Sequence, residues 1–202
     1  MSIERKVRLI EQMFGCLEQE ITTFKKQFDM QCVSGCGKCC TKLDVEASPL
    51  EFLPWAFYLF LNDKAEEVLR ELNHKSTTIC HIYQPLSLTD SSSGSCGEYR
   101  YRGLICRLFG YAAVKDKYGQ LRLATCKILK ESQPQNYQQV IDALKNKASI
   151  PVFTDYYMQL SQIDFTLGAT ILPINKALIR AIEEVLSYYA YRPIPRRFKK
   201  IA

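Results

Sequence analysis

The sequence predicts a mostly α-helical protein, a single helical domain with a small β-hairpin, organised around a cysteine-ligated metal centre. Three observations support this prediction: a long stripe of apolar residues at helical spacing, prolines at the starts of later helical patterns, and nine cysteines. A chain of 202 residues is long enough to bury its own core in one domain. Its 47% hydrophobic and 24% charged residues are typical of a globular protein and exclude a disordered one.

The N-terminal segment, residues 1–31, is predicted to form one amphipathic helix. Its apolar residues recur at alternating steps of four and three, which places them on one face of a helix. They are Ile3, Val7, Ile10, Phe14, Leu17, Ile21, Phe24 and Phe28. Such a stripe packs on the body of the protein or pairs with another helix, so a monomer and a helix-mediated dimer both stay open. Cys16 lies beside the stripe and is expected to be a buried or half-buried thiol.

Two capping patterns begin helices in the middle segment, residues 32–130. The pattern at 48–51 combines a capping box with proline at the first helical position, and it precedes a central apolar helix. Pro54 is expected to bend this helix or to reset its start. The pattern at 63–66 predicts a second, more polar helix that ends near residue 73.

A β-hairpin and three more helices are predicted in the second half of the chain. A loop rich in serine and glycine spans 87–97, and the apolar runs 108–114 and 121–125 flank a glycine-containing turn. Residues 131–191 form the C-terminal helical part of the same domain. Its three helical patterns begin near prolines and cover about 134–147, 152–163 and 173–189.

The formal net charge of +6 is concentrated in a basic tail, residues 192–202. The tail contains Arg192, Arg196, Arg197, Lys199 and Lys200 and no acidic residue. The first interpretation is a solvated tail, and the second is a patch for nucleic acid or another acidic partner. No membrane partner is expected, because the densest apolar run, 52–61, is half the roughly 20 residues that a membrane span needs.

The cysteines are expected to be reduced and to bind metal. The charged N-terminal residues do not match a secretory signal, so the predicted location is cytoplasmic. Cysteine clusters in that reducing compartment bind metal or act in redox chemistry more often than they form disulfides. The odd count agrees, because nine cysteines cannot all pair with one another.

Eight cysteines form two groups, and all eight are candidate metal ligands. The groups are Cys32, Cys36, Cys39 and Cys40, and then Cys80, Cys96, Cys106 and Cys126. The first group lies within nine residues of a loop that contains glycine, so its thiolates can converge at little entropic cost. Thiolate sulfur selects zinc, cuprous copper or iron–sulfur clusters. Adjacent cysteines in an extended chain point to opposite faces, so either the loop turns sharply at 39–40, the pair serves two centres, or one of them ligates nothing.

The two groups together resemble the CxxCxxCC, or YkgJ-type, cysteine-cluster family, which is described as zinc- or iron-chelating. The first group ends in a Cys-Cys pair, as in that family. The later positions of the family pattern are matched in order by Cys80, Gly94, Cys96, Tyr99, Arg102, Cys106 and Arg107. The resemblance covers residues 32–126, with His81 and Gly103 where the family often has proline. It implies metal binding, and because some members resemble flagellin lysine methylases it leaves an enzyme open.

Residues near the cysteines are predicted to support the metal or cluster. Arg102 and Arg107 are expected to neutralise a thiolate-rich centre, and Tyr99 to shield it. Iron, an iron–sulfur cluster and zinc all stay open, because four thiolates suit each of them. Radical S-adenosylmethionine chemistry also matches the Cys32–Cys39 spacing. The lysine before Cys39 and the lack of alternating strands and helices speak against it.

The sequence thus predicts a metal-binding protein that acts in redox chemistry or in metal handling. One alternative is a cluster-dependent enzyme, such as a protein lysine methylase-like transferase. Another is an interaction module that zinc stabilises and whose basic tail engages its partner. With only His74 and His81 in the chain, both expected to be polar surface residues, nucleophilic catalysis through histidine has little support, and no substrate is indicated.

Overall fold

The computed structural model describes residues 1–75, 77–86, 93–146 and 148–194, which are mostly helical with three small antiparallel sheets. The helices are α1 (Ile3–Phe28), α2 (Leu53–Leu61), α3 (Ala65–His74), α4 (Leu104–Leu108), α5 (Lys127–Ser132), α6 (Pro134–Lys145), α7 (Phe153–Ile163), α8 (Phe165–Ala169) and α9 (Ile174–Tyr189). The strands are β1 (Glu46–Ala47), β2 (Tyr83–Pro85), β3 (Gly94–Cys96), β4 (Ala113–Lys115), β5 (Leu121–Leu123) and β6 (Leu172–Pro173). β1 pairs with β6, β2 with β3, and β4 with β5. Within these ranges, every helix is too short or too polar to span a lipid bilayer.

The predicted N-terminal helix is present as α1. Ser2 caps it by accepting a hydrogen bond from the backbone N–H of Arg5 at 3.4 Å. All eight residues of the apolar stripe are buried, and α1 packs against α2, α6 and α7. Lys6, which is also buried, joins α1 to Asp164 at 2.6 Å and to Glu184 at 3.7 Å. The apolar stripe of α1 is therefore buried by other helices of the same chain.

The centre of the fold is α2, which packs between α1 and α9. The capping box that begins it is complete, since the Ser48 hydroxyl accepts from Leu50 N–H and the Glu51 carboxylate accepts from Ser48 N–H. A 3-10 helix over Pro49–Phe52 leads into α2, and Pro54 lies in the first turn of α2. Proline at that position resets the helix start, as the sequence predicts.

Several local predictions are wrong. Asp63 does not cap α3, because it adopts a left-handed conformation with φ of 57° and α3 begins after Lys64 without a side-chain cap. Part of the predicted 87–97 loop is strand β3, and the rest of it, 87–92, lies outside the described residues. Leu108 ends helix α4 and does not start a hairpin strand, so the hairpin consists of β4 and β5 alone.

The predicted C-terminal helices are present as α6, α7 and α9, while the short helices α5 and α8 were not predicted. Strand β1 pairs with β6 through Ala47 and Leu172, which ties the start of α2 to the start of α9. The buried apolar residues of α1, α2, α6, α7 and α9 belong to one continuous core. Residues 195–202 of the basic tail lie outside the described residues, and Arg192 places its guanidinium 4.1 Å from the Tyr188 ring.

Candidate metal centre

The cysteine-rich loop is joined to the sheet that carries Cys96. The N–H of Gly94 in β3 donates to the carbonyl of Gly35 at 2.9 Å, and Cys36 forms a parallel bridge with Gly94. Gly37 and Gly94 both lie against the ring of Tyr83, where a Cβ atom would clash with the ring. These two glycines therefore allow the loop and the strand to approach each other closely.

The second group of cysteines surrounds that sheet. Cys80 precedes β2 and donates its N–H to the carbonyl of Cys40, at a long 3.5 Å. Cys96 ends β3 and pairs with Tyr83 of β2, whose N–H in turn donates to the carbonyl of Cys80 at 3.0 Å. Cys106 lies in the middle of α4. The turn and the strand pairing thus bring three distant segments together.

Cys126 lies at the start of α5, where its sulfur accepts a hydrogen bond from Leu129 N–H at 3.4 Å. Cys32 begins the cysteine-rich loop and donates its N–H to the hydroxyl of Tyr111 at 3.1 Å. Gly110, just before Tyr111, donates to the carbonyl of Ala124 at 2.7 Å. Tyr111 and Gly110 therefore bring the segments of Cys32 and Cys126 to the same region.

The thiols interact electrostatically across these segments. Burial raises the pKa of Cys80 to about 11, and the thiols of Cys96 and Cys39 raise it further. Burial also raises the pKa of Cys106, with Cys80, Glu51 and Cys39 adding to the effect. The pKa of Cys32 is raised by burial and then by Cys36, Cys39 and Cys126. Each of these thiols is thus held in its neutral form by burial and by the neighbouring sulfur atoms.

Cys39 and Cys40 form a hydrogen-bonded pair of thiols within a tight turn. The turn is closed by hydrogen bonds from Cys40 N–H and Thr41 N–H to the carbonyl of Gly37, at 2.9 and 3.2 Å. The hydrogen bond from Cys40 lowers the pKa of Cys39, and the same bond raises the pKa of Cys40. The sequence left three interpretations of this cysteine pair open, and the backbone of residues 39–40 adopts the sharply turned loop.

The predicted arginines lie beside the cysteines. Arg107 is only 8% exposed, and it donates to the carbonyls of Arg100 and Arg102 and to the Glu18 carboxylate of α1. Burial raises the pKa of Cys96, and the positive charges of Arg102 and Arg107 oppose that rise. Arg107 therefore both orders the chain before Cys106 and lends positive charge to the thiols.

Tyr99, which was expected to shield the centre, is 58% exposed. Its ring lies 4.2 Å from the guanidinium carbon of Arg102, so it contacts the cysteine region through that arginine. Tyr101 stacks on Tyr58 at the end of α2, with ring centroids 4.8 Å apart. The aromatic residues of this segment thus hold its outer side and do not close over the thiols.

Two further predictions about single residues are wrong. Cys16 is exposed on α1 and not buried, because it lies outside the apolar stripe that faces the core. His81, which was expected to be a polar surface residue, is half-buried, and its Nε2 atom lies 3.8 Å from the Glu71 carboxylate. The His81 ring therefore lies against the Glu71 side chain of α3.

Four side chains that the sequence did not single out hold the cysteine segments. The Asn175 amide of α9 donates to the carbonyls of Thr77 and Ile79 and accepts from His81 N–H, each at 2.9 Å. The Gln133 amide donates to the carbonyl of Gln31 at 2.7 Å and accepts from its N–H at 3.1 Å. Each amide thus fixes the backbone beside a cysteine.

Tyr111 is the third of these side chains and the buried Glu51 the fourth. Glu51 accepts from Ile105 N–H at 2.9 Å, next to Cys106, and from the hydroxyl of Tyr157 at 2.9 Å. Burial raises the pKa of Glu51 to about 7, although its hydrogen bonds oppose the rise. No signal in the sequence could pair Asn175 or Gln133 with its target, because the partners are 94 to 102 residues apart.

The donor set of this region fits a soft metal, since it consists of eight free thiols with arginines nearby. As the side chains stand, no three Cys, His, Asp or Glu residues in the described part of the chain are close enough to hold a metal ion. Metal binding would therefore require the thiols to move closer together.

Comparison of the whole chain with family models, with curated proteins and with solved structures finds no match.

Proposed function

We propose that this protein binds a metal ion or a metal cluster through its eight clustered cysteines and acts in redox chemistry or in metal handling. One observation carries the proposal: backbone contacts join the cysteine-rich loop to Cys80 and to strand β3, which ends at Cys96, and Cys106 and Cys126 lie close enough to influence the ionisation of these thiols. Iron or an iron–sulfur cluster is the first choice of cofactor, and zinc is the alternative.

The electrostatics of the region favour a bound cation. Burial and the neighbouring thiols raise the pKa of Cys32, Cys80 and Cys106, so these three thiols stay in their neutral form when no cation is bound. A soft metal ion removes both penalties, because it binds the thiolates directly and displaces their protons. Arg102 and Arg107 would compensate the negative charge that remains on a centre with four thiolates.

The second support is the way in which the cysteine segments are held. Asn175, Gln133, Tyr111 and Glu51 all bond to backbone atoms at or beside cysteines, and none of these bonds uses a thiol. The sulfur atoms thus stay available while their backbones are fixed. Such ordering lowers the entropic cost of closing a metal site.

Gentle isolation under anoxic conditions, followed by elemental analysis, tests the proposal. We expect stoichiometric iron or zinc in the unmodified protein and a loss of metal in Cys106→Ser. The matched control is Cys16→Ser, which changes an exposed thiol on α1 and should keep the full metal content. A protein that contains neither metal, and in which all nine thiols titrate as free, would contradict the proposal.

The identity of the metal distinguishes the roles that the sequence left open. A brown protein with iron and acid-labile sulfide supports a redox protein or a cluster-dependent enzyme such as a methylase-like transferase. Binding of S-adenosylmethionine, measured by calorimetry, then separates those two. A colourless protein with stoichiometric zinc supports an interaction module whose fold the metal stabilises.

A further inference from the structure

We propose that Arg102 is the recognition residue of an anion site, which binds a small molecule that carries a carboxylate or a phosphate group. Arg102 follows the short 3-10 helix Tyr99–Tyr101, reaches Glu18 of α1 and lies under the ring of Tyr99. The proposal goes beyond metal binding and does not require a bound metal, because it rests on how the Arg102 guanidinium is paired within the fold.

The Arg102 side chain is buried with too few hydrogen-bond partners. It is only 10% exposed. Among the residues that the structure describes, its guanidinium makes a single hydrogen bond, from Nη2 to the Glu18 carboxylate at a long 3.5 Å. Its Nε atom is fully buried and has no partner in this part of the chain. Since buried donors are nearly always paired and a guanidinium has five of them, the pairing of Arg102 is incomplete.

The neighbouring Arg107 is paired at every nitrogen. Its Nε atom donates to the carbonyl of Arg102 at 3.1 Å, and its two terminal nitrogens donate to Glu18 and to the carbonyl of Arg100. Its guanidinium carbon also lies 4.5 Å from the centroid of the Phe14 ring. Arg107 is therefore a structural residue, whereas Arg102 keeps donors that the fold does not use.

The charges around the two arginines are also unbalanced. Arg102 and Arg107 both contact the Oε2 atom of Glu18, and no other carboxylate in the described ranges pairs with either guanidinium. The Glu18 side chain is 41% exposed, so solvent screens its charge. Two buried positive charges thus share one half-exposed negative charge, and buried charges without a partner are costly. An anion bound to Arg102 would restore the balance.

The geometry of a guanidinium selects the class of ligand. Its planar set of N–H donors matches two oxygen atoms of a carboxylate or a phosphate, which it binds through two parallel hydrogen bonds. The shared chemistry of the ligand is therefore an oxyanion that can accept both bonds. A compact point charge such as chloride cannot use this set of donors in the same way.

Tyr99 forms a lid over the site. Its ring centroid lies 4.2 Å from the guanidinium carbon of Arg102, and this contact supplies no acceptor oxygen to the Nε–H group. The Tyr99 side chain is 58% exposed, and its hydroxyl makes no hydrogen bond with any residue that the structure describes. Little holds the ring in place, so it can tilt outward and let an anion reach Arg102.

Calorimetric titration of the full-length protein with sodium phosphate and with sodium acetate, at an ionic strength kept constant with sodium chloride, tests the proposal. We expect saturable binding of at least one anion, and the tighter of the two identifies the group that the ligand carries. Arg102→Gln should weaken this binding by about tenfold or more. The matched control is Arg100→Gln, which changes an exposed arginine of the same segment and should bind like the unmodified protein.

Two further variants keep the test decisive if Arg102→Gln does not fold. Arg102→Lys keeps the positive charge but lacks the planar set of donors, so it should bind the anion several-fold more weakly. Tyr99→Ala removes the lid and should bind it several-fold more tightly. Unchanged affinity in Tyr99→Ala would overturn the assignment of Tyr99 as a lid.

No binding of either anion to the unmodified protein would overturn the proposal. Equal affinity of the unmodified protein and a folded Arg102→Gln or Arg102→Lys, as judged by circular dichroism, would also overturn it. Either result leaves the proposed metal binding intact, because elemental analysis tests that function separately.

Discussion

The amide of Asn175 accepts a hydrogen bond from the backbone N–H of His81 at 2.9 Å, although 94 residues separate the two. The same amide donates to the carbonyls of Thr77 and Ile79, so one side chain holds the chain on both sides of Cys80. Asn175 lies in the first turn of α9, a helix with most of its apolar residues in the core. The helical core therefore helps to set the position of Cys80 through Asn175.

Asn175→Ala should lower the affinity for metal by more free energy than it lowers the free energy of unfolding. The loop around Cys80 loses three hydrogen bonds, and loss of a group that orients a ligand lowers metal affinity by about 10–100-fold. Metal retained after gel filtration at a fixed chelator concentration measures the effect. Asn175→Asp keeps the bond to His81 N–H but cannot donate, so its metal content should be intermediate.

The matched control for this variant is Asn62→Ala. Asn62 also makes a side-chain bond at a helix end, to the carbonyl of Tyr58 at 2.7 Å, but it does not hold a cysteine segment. Its metal content should equal that of the unmodified protein. If both variants lose metal equally, Asn175 has no special part in placing Cys80.

Gln133→Ala should speed the release of bound metal. The substitution removes both hydrogen bonds to Gln31 and frees the segment that begins with Cys32. We expect the loss of metal to a fixed concentration of EDTA to accelerate several-fold. Gln138→Ala on the exposed face of α6 is the control, because Gln138 bonds only to Asp142 among the residues that the structure describes. Equal rates of metal loss in Gln133→Ala and Gln138→Ala would mean that Gln133 has no special part in holding the segment of Cys32.

Tyr157→Phe should destabilise the protein by about 1–2 kcal/mol, because it removes the hydrogen bond from the Tyr157 hydroxyl to the buried Glu51. The free energy of unfolding in urea measures this change. Tyr118→Phe removes a hydroxyl from a side chain that is 73% exposed, so it should have almost no effect. Equal stability of the two variants would mean that the Tyr157 bond contributes nothing.

Asp164→Asn should reveal a pH-dependent contribution from the ion pair with Lys6. Burial raises the pKa of Asp164, but hydrogen bonds from Leu167 N–H and Lys6 outweigh it, so the pKa lies below its ordinary value. Since the folded protein binds this proton less tightly than the unfolded chain does, Asp164 stabilises the fold above about pH 4 and loses this effect at lower pH. Asparagine can still cap α8, so the variant loses mainly the ion pair.

Unfolding measured from pH 7 to pH 3 tests this prediction. At neutral pH, the free energy of unfolding of the unmodified protein should exceed that of Asp164→Asn by about 1–2 kcal/mol. This difference should shrink as the carboxylate becomes protonated. Glu183→Gln, which changes an exposed residue 3.9 Å from Arg180, is the control and should show almost no difference. If the difference in free energy of unfolding between the unmodified protein and Asp164→Asn stays constant with pH, the ion pair is not the cause of that difference.

Much of the fold is predictable because its signals are local. The apolar stripe of α1 needs only the helical repeat, and the Ser48 capping box needs only residues three apart. Asp63 shows the limit of such signals, because the same capping pattern there gives way to a left-handed turn between α2 and α3. Strand β3 was missed for a related reason: Gly94 and Ser95 are weak strand formers, and only pairing with β2 orders them.

By itself, the sequence determined the helical class, the long first helix and the eight thiols that make metal binding the leading hypothesis. Only the tertiary structure decided which thiols are neighbours and which side chains hold them. Helical periodicity and capping act over a few residues, whereas Asn175 and Gln133 meet their partners only after the core has packed α9 and α6 into place. The chain therefore encodes its two groups of cysteines locally and the arrangement of those cysteines through packing over long sequence distances.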